Sequence, residues 1–136
     1  MLVDVRDILE KGEFFYADCI VTDQSEVLSY MVMNSRIETD RIAEIDINVT
    51  TSIFQNFSVS IEDSVYVGGE AAAHGSCGFF YKKTGDVLNW FLMSTESDPF
   101  VSVDIIGNDV VFLSESGCKW FVCGGNIKSV VIKAPI

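Results

Sequence analysis

The sequence predicts a mainly β (α+β) domain: an antiparallel sandwich or curved sheet with one N-terminal helix. Two observations carry this. Short β-branched and aromatic runs, parted by Gly, Asn and Asp, recur about every ten residues along the second half. After residue 12 the apolar period is two, whereas before it the period is helical.

Residues 2–11 place Val5, Ile8 and Leu9 on one stripe, and Gly12 follows as a stop, which predicts a short amphipathic helix. Phe14 to Val21 and Val27 to Met33 flank Thr22-Asp23-Gln24-Ser25, a predicted hairpin. Residues 34–41 read either as loop or as one helical turn. Ala43, Ile45, Ile47 and Val49 alternate with Glu44, Asp46 and Asn48, predicting a strand with one wet, acidic face. Phe57, Val59 and Ile61 alternate with Ser58, Ser60 and Glu62 in the same way. Three further hairpins are expected around Lys83-Thr84-Gly85-Asp86, Gly107-Asn108-Asp109 and Gly124-Gly125-Asn126. The 136 residues suit a single domain, 1–136, with enough apolar content for a packed core.

Charge is the strongest global signal. Twenty acids against nine bases give a net charge of −11, and no Lys or Arg occurs between Arg41 and Lys82. Such a field repels phosphate backbones and anionic lipid and attracts basic proteins. Acidity that merely confers solubility is the plainer reading of the same numbers. No apolar run is long enough for a membrane helix, and the first residues lack a basic, apolar leader, so a cytoplasmic location is expected. Cys19, Cys77, Cys118 and Cys123 show no Cys-x-x-Cys spacing and are expected to be reduced.

Chemistry-bearing constellations are sparse. The segment Gly68–Gly78 holds His74, the only histidine, with Glu70, Ser76 and Cys77. A nucleophile needs a base in reach and a group that orients the base. The segment matches no nucleophile elbow, phosphate loop or dinucleotide turn. A Gly/Ala-rich bend, where small side chains permit a bulge or close packing, is the simpler expectation. One histidine and scattered thiols do not make a zinc set, and calcium-loop spacing is missing, so neither metal nor cofactor is expected. Glu62-Asp63 and Glu96-x-Asp98 have the residue types of an acid–base pair, but adjacent acids at strand ends are more often solvated turn residues. Phe14, Phe57, Phe79, Phe91 and Phe121 fall at core periods. Trp90 and Trp120 each neighbour one of these, so one of each pair faces the other way; an outward Trp would be an interface anchor.

The segments Gly78-Phe79-Phe80-Tyr81, Leu88-Asn89-Trp90-Phe91-Leu92-Met93-Ser94 and Glu96-Ser97-Asp98-Pro99-Phe100 resemble, in general style, the small acidic immunity proteins that bacteria encode beside polymorphic or contact-dependent toxins. The likeness spans residues 78–134. It implies one compact non-enzymatic domain and a toxin domain, often a basic nuclease, as partner. The expected function is therefore stoichiometric inhibition, with an acidic face standing in for substrate phosphates. The expected contact residues are Asp40, Glu44, Asp46, Glu62 and Asp63, with Glu96 and Asp98 at the rim. The rival readings are a ligand-binding or enzymatic β domain using the 68–78 loop, and a structural subunit of a homo-oligomer.

Overall fold

The computed structural model describes residues 5–24, 26–43, 45–72 and 77–135, without the side chains of 40–43. In chain order it contains α1 (Arg6–Glu10), β1 (Glu13–Phe15), β2 (Cys19–Asp23), β3 (Glu26–Met33), β4 (Arg36–Ala43), β5 (Thr50–Ile61) and β6 (Ser64–Ala71). There follow β7 (Cys77–Thr84), β8 (Val87–Ser94), β9 (Phe100–Ile106), β10 (Asp109–Ser114), β11 (Lys119–Val122) and β12 (Val130–Lys133). A short 3-10 turn, Cys123–Gly125, sits between β11 and β12. All twelve strands join one antiparallel sheet in the order β1-β5-β6-β7-β8-β2-β3-β4-β12-β11-β10-β9. The curved sheet is thus the form adopted, curled into a half-barrel.

The curl has local causes. Register shifts interrupt the ladders at Tyr30/Met31, Gln55/Phe57, Lys82/Lys83 and Leu113/Ser114. Each such irregularity bends its strand and adds twist. The curl is then held by a close approach between distant strands. A Cβ on Gly68 would collide with the Phe57 ring, and one on Gly78 with the Phe100 ring and the Asp98 carbonyl. These two glycines let Phe100, at the start of β9, seat against β6 and β7, and Asn56 Nδ2 donates to the Phe100 carbonyl at 3.1 Å.

Strict alternation divides the side chains between two cores. The inner core gathers Tyr66, Phe80, Trp90, Leu92, Phe100, Phe112 and Trp120. Phe80 stacks on Phe112 with centroids 3.9 Å apart, while Trp90 and Phe100 meet Phe80 edge-on. The outer core, on the opposite face of β6, β7, β8 and β2, gathers Val67, Phe79, Phe91, Met93 and Ile20 under Val5, Phe14 and Phe15. Phe14 stacks on Phe91 at 3.8 Å.

Several expectations are corrected. Residues 45–49 are not a strand: Asp46 Oδ1 accepts the Asn48 amide at 2.9 Å, and the Asp46 carbonyl accepts the Val49 amide at 3.0 Å. Asp and Asn hydrogen-bond their own backbone two residues on, and here that turn chemistry overrides the alternation. Residues 34–41, read as loop or helical turn, are a turn only at Asn34-Ser35; from Arg36 they belong to β4, which runs to Ala43. The expected strand over Phe14–Val21 is broken at 16–18 into β1 and β2, which pair with different neighbours. Trp90 and Trp120 are both buried in the inner core, so neither is an interface anchor. In the second pair it is Phe121 that turns outward, with the Lys133 ammonium 4.6 Å from its ring centroid.

Candidate protein-binding surface

Antiparallel pairing sends alternate connections to opposite ends of the sheet, and of the turns at one end three lie side by side along β5 to β3. They are Glu62-Asp63 between β5 and β6, Gly85-Asp86 between β7 and β8, and the turn from Asp23 to Glu26 between β2 and β3. A run of hydrogen bonds laces them. Ser64 and Thr84 hydroxyls lie 3.3 Å apart, Thr84 Oγ1 donates to Asn89 Oδ1 at 2.8 Å, and the Gln24 amide donates to the Asn89 carbonyl at 3.2 Å. Glu62, Asp63 and Asp86 are exposed on this hydrogen-bonded end, and Asp23 and Glu26 are half-buried beside them. Two bases lie beside these turns on β7: Lys82 over the Tyr66 ring at 5.8 Å, and Lys83, which with Arg6 and Asp86 lines a cavity of about 450 Å³.

Glu96 and Asp98 lie at the opposite end, in the β8–β9 connection, so they do not rim the Glu62-Asp63 turn. Asp98 has an internal task. Its Oδ2 accepts the Ser116 amide, and its Oδ1 accepts the Ser116 hydroxyl at 2.9 Å, clasping this connection to the β10–β11 turn. Partial burial works to raise the Asp98 pKa, but the hydrogen bonds from Ser116 and Ser114 outweigh it and hold the carboxyl below its ordinary value. Glu96 is exposed nearby, on a cavity of about 310 Å³ also lined by Asn34, Ser35, Cys118 and Trp120. Asp46 is exposed in its own turn. Asp40 lies in β4 with its side chain undescribed, and Glu44 lies outside the described residues.

The glycine-rich segment is divided among strands. Gly68 and Gly69 belong to β6 and Gly78 to β7, and Gly69 faces the bulge at Asn56. His74 and Ser76 lie outside the described residues. Cys77 is buried, and burial raises its thiol pKa; Cys19, more deeply buried, is pushed up to about 12. Raised thiol pKa values oppose formation of the nucleophilic thiolate. All four cysteines are free thiols. Among the described residues no group of three metal-ligating side chains converges, and no helix is long and apolar enough to cross a membrane.

Sequence reasoning weighed Glu62 and Asp63 but missed Asp86, Asp23 and Glu26 as their neighbours. The signal was present: each lies in or beside a predicted hairpin turn, and adjacency of those turns follows only from strand order. No family model, curated protein or solved structure matches this chain.

Proposed function

We propose that this protein is a stoichiometric inhibitor of a basic protein, in the manner of an immunity protein that covers the active or substrate-binding surface of a toxin domain such as a nuclease. The observation that carries the reading is the laced acidic end: Glu62, Asp63 and Asp86 exposed on turns that side-chain hydrogen bonds fix to one another. Preorganised acids lose little conformational freedom on meeting a basic groove, and they speed the encounter with it. The net charge of −11 acts in the same direction at longer range.

The test is co-expression with the basic C-terminal domain of a larger protein encoded beside this one. The wild-type chain should protect cells from that domain and co-purify with it. The triple variant Glu62→Gln, Asp63→Asn, Asp86→Asn should bind more slowly, and wild-type association should slow as salt rises, because exposed charges are screened beyond about 8 Å at physiological ionic strength. Association rates that are equal for the two proteins and flat with salt would dismiss the acidic end as the docking surface.

A further inference from the structure

We propose that β5 is a self-pairing edge, to which a second copy of this chain adds antiparallel across a two-fold axis at Val59. Along most of its length β5 pairs with β6 on one side, but β1 covers the other side only at Thr50–Ser52. The Ile53 amide still reaches the Gly12 carbonyl at 2.9 Å. From Phe54 to Ile61 no strand among the described residues pairs with that side. Ile61 and Ser64 close a two-residue turn and form its hydrogen-bonded pair. Antiparallel ladders alternate, so Ser58 and Ser60 direct their amides and carbonyls away from β6, into the open edge.

Two features select a second copy as the occupant. The first is charge. The twelve residues of β5 include no acid and no base, in a chain of net charge −11 whose surfaces otherwise repel one another. A basic partner finds nothing to read here, whereas an identical strand meets no like charge. The second is pattern. Phe57-Ser58-Val59-Ser60-Ile61 alternates apolar and polar symmetrically about Val59. An axis there sets Phe57 opposite Ile61, Val59 opposite Val59 and Ser58 opposite Ser60. Apolar side chains then meet on one face, serines meet on the other, and the outward backbone groups of Ser58 and Ser60 find each other. Glu62 and Asp63 belong to the turn beyond the paired stretch, level with the uncharged Asn56 and Gln55 of the other copy. Moving the axis to Ser58 would set Ile61 against Gln55. Val59 is 37% exposed on the stretch that pairing would cover. The other free edge, β9, is guarded: Asp104 sits in mid-strand, and its Oδ1 accepts the Ile105 amide at 2.9 Å.

Sedimentation equilibrium across a dilution series should show a reversible monomer–dimer equilibrium for the wild-type chain. The variant Val59→Cys should cross-link to itself under mild oxidation, because residues opposed at a non-hydrogen-bonded position have Cα atoms about 4.5 Å apart, within disulfide reach. Peptide mapping would separate a bridge between the two introduced thiols from any that involves a native cysteine. Ser60→Pro removes an outward amide while leaving the ladder to β6, so it should abolish the dimer with circular dichroism unchanged. Should that variant lose its fold, Val59→Lys sets two ammonium groups on the axis and should give a folded monomer. A monomeric wild type at every concentration, no bridge between the introduced thiols, or a dimer that survives in a folded Ser60→Pro or Val59→Lys protein would overturn the proposal.

Discussion

The stretches Cys77–Phe80 of β7 and Trp90–Ser94 of β8 are dry on both faces, whereas β11 and β12 are dry on one. In the first pair Phe79, Phe80, Trp90, Phe91, Leu92 and Met93 are all buried, alternate residues entering opposite cores. In the second, Trp120, Val122 and Val130 face inward, while Lys119, Val131 and Lys133 meet solvent. The difference is the N-terminal segment. α1 and β1 lie over the outer face of the first pair and bring Val5, Phe14 and Phe15 to it, and nothing comparable lies over the second pair among the described residues. A strand therefore reads as continuously apolar where two layers cover it and as alternating where one does.

The inner core should prove the more costly to damage. Phe80→Ala removes a fully buried ring that touches Phe112, Trp90 and Phe100, and should cost about 4 kcal/mol in urea unfolding, with the whole sheet melting together. Phe14→Ala removes an equally buried ring from the outer core, where Phe91 and Phe15 are its aromatic neighbours. It should cost about 3 kcal/mol. Part of that loss should appear as local opening, since a helix of five residues and a strand of three can lift away before the sheet fails. Hydrogen exchange should quicken in β1 and in β5 near Thr50–Ser52 while β7 and β8 stay protected. Equal exchange in the two regions would mean that the outer layer is as cooperative as the inner one.

This asymmetry also explains what was legible in the sequence. The hairpins β7–β8, β9–β10 and β11–β12 were readable because Gly85, Gly107 and Gly124-Gly125 mark turns beside dense β-formers. The break between β1 and β2 was not, because Phe14 to Val21 is apolar enough for either of two sheet positions, and tertiary pairing decided. Turn chemistry at Asp46 and Asn48 mimicked strand alternation for the same reason: period two does not separate an Asx turn from a wet-faced strand. The acids of the binding surface were individually visible, but their grouping depends on β2 lying beside β8, which is distant in sequence.

The two ends of the sheet differ in what their acids do, and Asp98 sharpens that contrast. Asp98→Asn removes the charge that Ser116 and Ser114 favour, and should destabilise the fold by about 1.5 kcal/mol at neutral pH, a typical worth for a charge-assisted hydrogen bond. The Asp98 carboxyl has a lower pKa folded than unfolded, so its contribution is fully present above the unfolded carboxylate pKa. It fades as pH falls through the folded value. Wild-type and variant stabilities measured against pH should therefore converge in acid. A gap that persists undiminished at low pH would mean that the asparagine costs packing and not charge. At the other end, Asp63→Asn and Asp86→Asn should leave stability nearly unchanged, consistent with exposed turn acids.

The smallest effect belongs to the turn at Glu62. Among the described residues five two-residue hairpin turns begin with a residue at positive φ: Gln24 at 48°, Asn34 at 55°, Glu62 at 57°, Gly85 at 58° and Gly107 at 62°. Two of them use glycine, which adopts that region freely, and one uses asparagine, which tolerates it; Glu62, like Gln24, carries a Cβ that crowds the following carbonyl at about 1–2 kcal/mol. Glycine also loses more backbone entropy on folding, by about 0.5–1 kcal/mol. Glu62→Gly should therefore stabilise the protein by about 0.5 kcal/mol, where Gly85→Ala and Gly107→Ala should each destabilise it. The glutamate is a poor choice for this backbone, as Gln24 is in the β2–β3 turn, so its use elsewhere is decided by binding and not by the backbone alone. Thermal melts of the three variants measure the first claim, and association of Glu62→Gly with the basic partner measures the second. Added stability together with undiminished association would leave Glu62 without a reason to occupy the turn, and would reduce the acidic end to Asp63 and Asp86.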